Sequence, residues 1–229
     1  MLQNIKGSLR ASFFIGFLFC LQLGLVYGSP SASDDKQWQA LIHSIDGYNG
    51  IRDSRFSLIS HSSSKSNSEF DASKEVLLSA QTASPIICRF PARQLWLSKK
   101  FGTTQADLSY CSGLQEFLEK VPTDKVALVF SSENLASPSS MMGHILIKLS
   151  GLDSQSQYRE YAISFYTDVT GVNVPKIMFE SLVTGKKGIF ALSTYSEKLN
   201  LYLNDEGRNV WEYDLQLNKD EKQLLMLHL

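Results

Sequence analysis

The sequence predicts an α+β fold in which helices come first and pack on an antiparallel sheet. Apolar residues recur at helical spacing through residues 34–121, whereas the apolar runs after residue 125 are short and rich in β-branched and aromatic residues. The turn-rich segment 151–156 between two of these runs favours an antiparallel hairpin. The predicted strands are residues 125–131, 144–150, 159–165 and 209–215.

The chain has an ordinary globular composition and an N-terminal export pattern. Its 229 residues, with 43% hydrophobic and 20% charged, can bury one sizeable core. Residues 1–28 resemble a secretory signal peptide, because Lys6 and Arg10 precede an apolar run that ends before Gly28; an uncleaved membrane anchor is the alternative. We expect residues 29–229 to form a single exported domain. Removing the signal takes away two of 22 Lys and Arg and none of 23 Asp and Glu, and the resulting net charge near −3 argues against a nucleic-acid partner.

Four helices are expected before the first strand. The first follows an N-cap cluster at residues 33–35 and ends near Gly47. A polar, serine-rich loop at 57–68 separates it from a second helix at about 72–82. The apolar face of the first helix is formed by residues at helical spacing, namely Trp38, Leu41, Ile42 and Ile45.

The third and fourth helices begin at Pro91 and at Ser112. Pro91 suits a first helical turn, with Leu95 and Trp96 facing the core. Ser112 to Gln115 have a capping-box pattern, and an apolar face follows it. A similar pattern at 218–221 predicts a terminal helix. Two arginines near Pro91 are interpreted as structural, although a phosphate or carboxylate site is the alternative; they are Arg89 and Arg93.

Export would leave two cysteines, Cys88 and Cys111. An even pair in an oxidising compartment is more often a disulfide than two free thiols. The competing interpretation is that Cys111 is a nucleophile, because it directly precedes a helix and a helix N-terminus lowers the pKa of a thiol. Cys111 with His144 is therefore an alternative thiol site.

The candidate site is the loop that leads into the strand at 144–150. Ser139, Ser140 and Gly143 form a small-residue support, and His144 begins the strand, where an imidazole is both rigidly held and open to a substrate. The alternative is a hydrogen-bonded histidine at a strand end, with no chemical role. The four histidines lack metal-ligand spacing, so we expect neither a metal nor a cofactor.

The sequence Ser140-Met-Met-Gly143-His144, followed by alternating apolar residues, resembles the S-M-x-G-H signature of the Lnb N-terminal periplasmic domain family. Other stretches extend the resemblance over most of the chain after the signal. They are residues 88–97 with Cys111, 161–165, 185–190 and 202–215.

The resemblance implies a permuted papain-like core, incomplete at its C-terminal end, and a periplasmic acyl transfer. A thiolate would take an acyl group from a phospholipid and pass it to the N-terminal amine of a lipoprotein, at a membrane surface. His144 would be the general base. The family's nucleophile, in an Asn-Cys motif, is expected beyond the helix that begins near Asn218, so this chain would hold the base without its nucleophile and be inactive.

Two other functions stay open. One is a papain-like thiol hydrolase or peptidase that uses Cys111 and His144. The other is a non-catalytic envelope domain that binds lipid or lipoprotein. Both enzymatic interpretations require His144 to be accessible rather than enclosed by apolar side chains.

Overall fold

The computed structural model describes residues 32–45, 48–49, 55–59, 66–79, 84–134, 143–167, 174–179 and 188–229. The predicted signal peptide at 1–28 lies outside these ranges and stays a prediction. The chain divides into two compact units, residues 1–80 with 96–103 and residues 81–95 with 104–229. The single domain over residues 29–229 also stays a prediction.

The first unit is built around the fully buried Trp38, which lies in helix α1 (Lys36–Leu41). Asp35 caps this helix as predicted, since its side chain accepts a hydrogen bond from the Gln37 backbone N–H at 2.9 Å. The Trp38 ring packs edge-on against Phe70 and contacts Trp96, with ring centroids 5.3 and 5.4 Å apart. These aromatic contacts form the core that the helical spacing predicted.

Two boundaries in this unit differ from the prediction. Helix α1 ends at Leu41 instead of near Gly47, because His43 adopts a φ of 49°, and a short hairpin follows, formed by β1 (Ser44–Ile45) and β2 (Tyr48–Asn49). Helix α2 (Ser66–Ser79) begins inside the predicted serine-rich loop. Its fully buried Glu69 accepts hydrogen bonds from Ser57 Oγ and from the backbone N–H groups of residues 58 and 59, so the first turn is anchored.

Three helices carry the cysteine region. They are α3 (Pro85–Arg89), α4 (Pro91–Phe101), which continues into the first unit, and α5 (Ser112–Lys120). Cys88 and Cys111 form the predicted disulfide, with their Cα atoms 5.4 Å apart. The capping box at Ser112 is wrong: Cys111 is the N-cap, and the Gln115 side chain donates instead to the Leu108 carbonyl at 2.9 Å. Pro91 begins α4, and Leu95 and Trp96 are buried, as predicted.

The second unit contains a five-stranded sheet with the order β6-β5-β4-β3-β7, in which all neighbouring strands are antiparallel. This confirms the α+β class and the hairpin, whereas a permuted papain-like core stays a prediction. The remaining helices are α6 (Val174–Phe179), α7 (Tyr195–Asn200) and α8 (Lys219–His228). The strands are β3 (Lys125–Ser131), β4 (His144–Leu152), β5 (Tyr158–Thr167), β6 (Gly188–Thr194) and β7 (Val210–Leu215).

The two faces of the sheet bury different cores. The face that carries His144 buries Val129, Leu146 and Ala162 beneath Tyr195 of α7 and Tyr202, which follows it. The opposite face buries its own set beneath α5 and α8. This set comprises Val126, Leu149 and Ile163, packed by Met226, Leu225, Phe117 and Leu118.

Helix α8 begins as predicted with a capping box. Asn218 Oδ1 accepts a hydrogen bond from the Glu221 N–H at 3.0 Å, and Glu221 Oε2 accepts one from the Asn218 N–H at 2.8 Å. Met226 of this helix is buried against the sheet.

One row of the opposite face remains apolar and exposed. The strand register places five side chains in line across all five strands, and four of them are between 44% and 63% exposed. The row is Trp211, Phe130, Ile145, Phe165 and Phe190. The side chains of β7 therefore alternate between the faces, with Trp211 in this row and Glu212 on the His144 face.

Reducing the Cys88–Cys111 disulfide should destabilise the second unit. The bridge joins residues 23 apart in sequence, and closing a loop of this length limits the unfolded chain, so its loss should cost about 3 kcal/mol. Urea unfolding of the oxidised protein, of the reduced protein and of a Cys88→Ser/Cys111→Ser variant measures this. Equal denaturation midpoints for the three forms would contradict it.

Candidate active site

Gly143 places His144 at the start of the central strand. Its φ is 74°, and a Cβ atom there would lie 2.7 Å from the Ser131 carbonyl oxygen and 2.9 Å from the Phe130 ring. Only glycine fits both the backbone conformation and this close approach. His144 then pairs with Ser131 in the register of β3 and β4. The predicted supporting residues Ser139 and Ser140 lie outside the described residues.

The imidazole of His144 contacts two tyrosine rings. Tyr166, in the adjacent strand β5, stacks on it with centroids 5.4 Å apart and planes 21° apart. Tyr202 follows α7 and lies on the same face of the sheet, with its ring centroid 6.1 Å away. Within the described part of the chain, His144 Nε2 is buried and has no hydrogen-bond partner. His144 as a whole is partly exposed. A neutral imidazole nitrogen without a hydrogen bond can accept a proton from a group that reaches it.

Burial and nearby positive charges lower the pKa of His144. Burial of the imidazole, followed by the positive charges of Lys198 and Arg208, lowers the pKa of His144 below its usual 6.5, and Glu206 offsets part of this effect. The neutral form, which is the form required of a general base, is therefore favoured at neutral pH.

A polar network fixes α7 to the His144 face. Lys148 Nζ lies 2.8 Å from Glu160 Oε1 and 3.0 Å from Glu212 Oε2, and the Tyr195 hydroxyl donates to the same Glu212 carboxylate. Burial alone would raise the pKa of Glu212, but the hydrogen bonds from Tyr195 and Lys148 outweigh it and lower the pKa. Because β4, β5, β7 and α7 meet here, the network positions the segment that carries Tyr202.

Cys111 and His144 are not brought together. Helix α5, which Cys111 caps, packs on the sheet face opposite His144, and the thiol of Cys111 is held in the disulfide. Cys88 and Cys111 line an open cavity of about 410 Å³. The other residues that line this cavity are Pro85, Tyr110, Ser112, Gly113 and Leu114.

The two arginines near Pro91 differ in exposure. Arg93 is buried, with its guanidinium carbon 4.4 Å from the Phe90 ring centroid, as a structural role requires. Arg89 is exposed and lies 4.8 Å from the same ring. Over the described ranges, His, Cys, Asp and Glu side chains do not form a group of three that could hold a metal ion.

Several residues around His144 were missed as site residues by the sequence analysis. They are Tyr166, Lys198, Tyr202, Glu206 and Arg208. Tyr166 could have been found from the hairpin register, whose continuation places it opposite His144. The other four residues lie in α7 or follow it, and this helix was not predicted. Residues 202–215 were nevertheless part of the resemblance.

These features define an α+β domain that presents His144, whose pKa is lowered, at the start of its central strand. The chain belongs to the Lnb N-terminal periplasmic domain family, whose sequence model matches residues 114–229. The match includes the whole sheet but not the 88–97 stretch, and a second model, that of a domain of unknown function (DUF7843), matches residues 31–100. No curated protein and no solved structure shows a significant match.

The family assignment gives the location of the domain. It is periplasmic, in agreement with the export predicted from the sequence. Over the ranges that the structure describes, none of the helices combines the length and apolar character needed to cross a membrane.

Replacing Gly143 by alanine should destabilise the domain and displace His144. The left-handed backbone alone should cost about 1–3 kcal/mol, and the contact with the Ser131 carbonyl adds to it. Gly113 in α5 is a matched control, because nothing lies within 4 Å of its Cβ position and Gly113→Ala should be neutral or slightly stabilising. Urea unfolding of both variants measures the change in the free energy of unfolding. Equal changes in the two variants would contradict the prediction.

The pKa of His144 should lie below 6.5 in the folded protein. Between the folded and the unfolded pKa the unfolded chain binds more protons, so His144 should lower the free energy of unfolding as the pH falls through that window. NMR titration of the histidine ring protons, assigned with a His144→Asn variant, measures the pKa. Unfolding at pH 7.5 and 5.5 should show a smaller pH effect in that variant, and a His144 pKa at or above 6.5 would contradict the prediction.

Proposed function

We propose that this domain takes part in acyl transfer from a phospholipid to the N-terminal amine of a lipoprotein. The observation that carries the proposal is the unpartnered Nε2 of His144, at the site of the signature that resembles the Lnb family; the lowered pKa of this residue supports it. Membership of that family supports it. The partners would be a phospholipid donor and a lipoprotein acceptor at the membrane surface.

His144 would move the proton in both steps. It first takes a proton from a cysteine thiol, and the thiolate attacks the ester carbonyl, so that a thioester bond forms and the ester C–O bond breaks. The imidazolium returns the proton to the departing lysophospholipid oxygen. The lipoprotein amine then attacks the thioester, an amide bond forms, and His144 takes the amine proton as the thiolate leaves.

The nucleophile in this proposal is the family's cysteine, which is expected beyond helix α8. Cys111 is the less favoured alternative, because it is disulfide-bonded and its helix packs on the sheet face opposite His144. An activity that thiol alkylation abolishes only after the disulfide is reduced would restore Cys111 as the candidate.

The His144→Asn variant of the full-length protein should lose acyl transfer by at least about 100-fold, because general-base catalysis contributes on this scale. The assay expresses the protein in bacteria that do not N-acylate their lipoproteins and determines the lipoprotein N-terminus by mass spectrometry. His43→Asn is a matched control, since His43 lies in the first unit and asparagine tolerates its φ of 49°. Full acylation by folded His144→Asn would refute the proposed role.

A non-catalytic lipid-binding domain is the second candidate, favoured by the exposed apolar row on the opposite face. In that case His144→Asn should leave vesicle binding unchanged and no acyl transfer should be found in either protein. Substitution of Phe190 and Trp211 by serine should then abolish vesicle binding.

A further inference from the structure

The segment after α7 folds back onto the sheet beside His144. Helix α7 continues into a π-helix, Leu201–Asp205, and the chain then turns at Gly207, whose φ is 62°. The turn is closed by the backbone N–H of Arg208, which donates to the Tyr202 carbonyl at 2.8 Å. Short π-helical segments occur frequently at functional sites. Here the segment places Tyr202 and Arg208 next to one imidazole.

The Arg208 side chain is buried, and its guanidinium group contacts several neighbouring residues. Its side chain is 3% exposed, and Nη1 donates to Ser131 Oγ and to the Ser132 carbonyl, both at 3.3 Å. Nε lies 2.6 Å from Glu206 Oε2 in an ion pair that is not an aligned hydrogen bond. The guanidinium carbon is 5.4 Å from the Tyr202 ring centroid, within the range of a cation–π contact.

These contacts connect Arg208 to both supports of His144. Ser131 is the residue opposite His144 in the pairing of β3 and β4. Tyr202, which is 5% exposed, is one of the two rings beside the imidazole. The other ring, Tyr166, is held separately by Lys198, whose Nζ donates to the Tyr166 hydroxyl. Each of the two tyrosines is therefore fixed by its own cation.

We propose that Arg208 is a positioning residue for His144. It joins the end of β3 to Tyr202 and so fixes the imidazole against the two tyrosine rings, with Nε2 left without a hydrogen-bond partner. The planar fork of arginine can bind the Ser131 hydroxyl, the Ser132 carbonyl and Glu206 together, which a lysine ammonium cannot do in the same geometry. The inference rests on the proposed function and deepens it, because orientation matters only if His144 acts as a base.

The test is NMR of the histidine Cε1–H groups in the full-length protein, which needs no activity. In Arg208→Met, the His144 signal should shift because the Tyr202 ring moves, and the His144 pKa should rise towards 6.5 because a positive charge is removed. In Arg208→Lys, the signal should shift while the pKa stays low, because the charge remains but the fork is lost. Arg159→Met is the control, since Arg159 pairs with Asp153 beside the hairpin turn at the far end of β4 and should change neither quantity.

Breaking a buried ion pair can prevent folding, so a second variant replaces both charges, Glu206→Gln with Arg208→Met. This variant should also shift the His144 signal. An unchanged His144 signal in folded Arg208→Met or in the double variant would overturn the proposal.

The acyl-transfer assay separates positioning from the proposed function. In Arg208→Lys, kcat should fall roughly 10- to 100-fold with little change in KM, because a displaced base slows the chemical step. If His144→Asn keeps full activity, the proposed function fails, whereas the NMR result still decides whether Arg208 orients the imidazole.

Discussion

The antiparallel pairing of β4 with β3 on one side and β5 on the other is the constraint on which the second unit depends. β4 is the central strand, so its register fixes which side chains meet across the whole sheet. It sets His144 opposite Ser131 and Tyr166, and Lys148 next to the carboxylates that hold α7. The tight entry at Gly143 and the hairpin turn after Leu152 fix the two ends of this strand.

The sheet face that carries His144 holds partly buried charged side chains close to the imidazole. Placing Lys148 between two glutamates costs desolvation, which the short ion pairs and the Tyr195 hydrogen bond offset. On the same face, the positive charges of Lys198 and Arg208 oppose protonation of His144. The free energy of burying these two cations is therefore coupled to the pKa of the imidazole. The opposite face achieves stability by ordinary apolar packing, with α5 and α8 over Leu149 and its neighbours.

The sequence was sufficient to predict the α+β class, four of the sheet strands, the disulfide and the position of His144 at the start of a strand, because residue pattern and cysteine count indicate each of these. β6 was missed because it is an edge strand without a clean apolar alternation, and α7 was missed because its capping box at Thr194 and Glu197 follows directly on a strand. Arg208 was missed as a positioning residue because its role depends on Ser131, 77 residues away, and no local pattern records such a contact. The capping box at Ser112 failed because Cys111 is the N-cap, so Ser112 is already the first helical residue and the Gln115 side chain bonds to Leu108.

Successive side chains of β4 point to opposite faces of the sheet, so the register of this strand decides which face carries His144. Ile145 belongs to the exposed apolar row and His144 to the polar face, and they are neighbours in the chain. A shift of β4 by one residue would exchange the two faces, placing an isoleucine against the tyrosines and an imidazole in the apolar row. An insertion of a single residue within β4 would therefore remove His144 from its site.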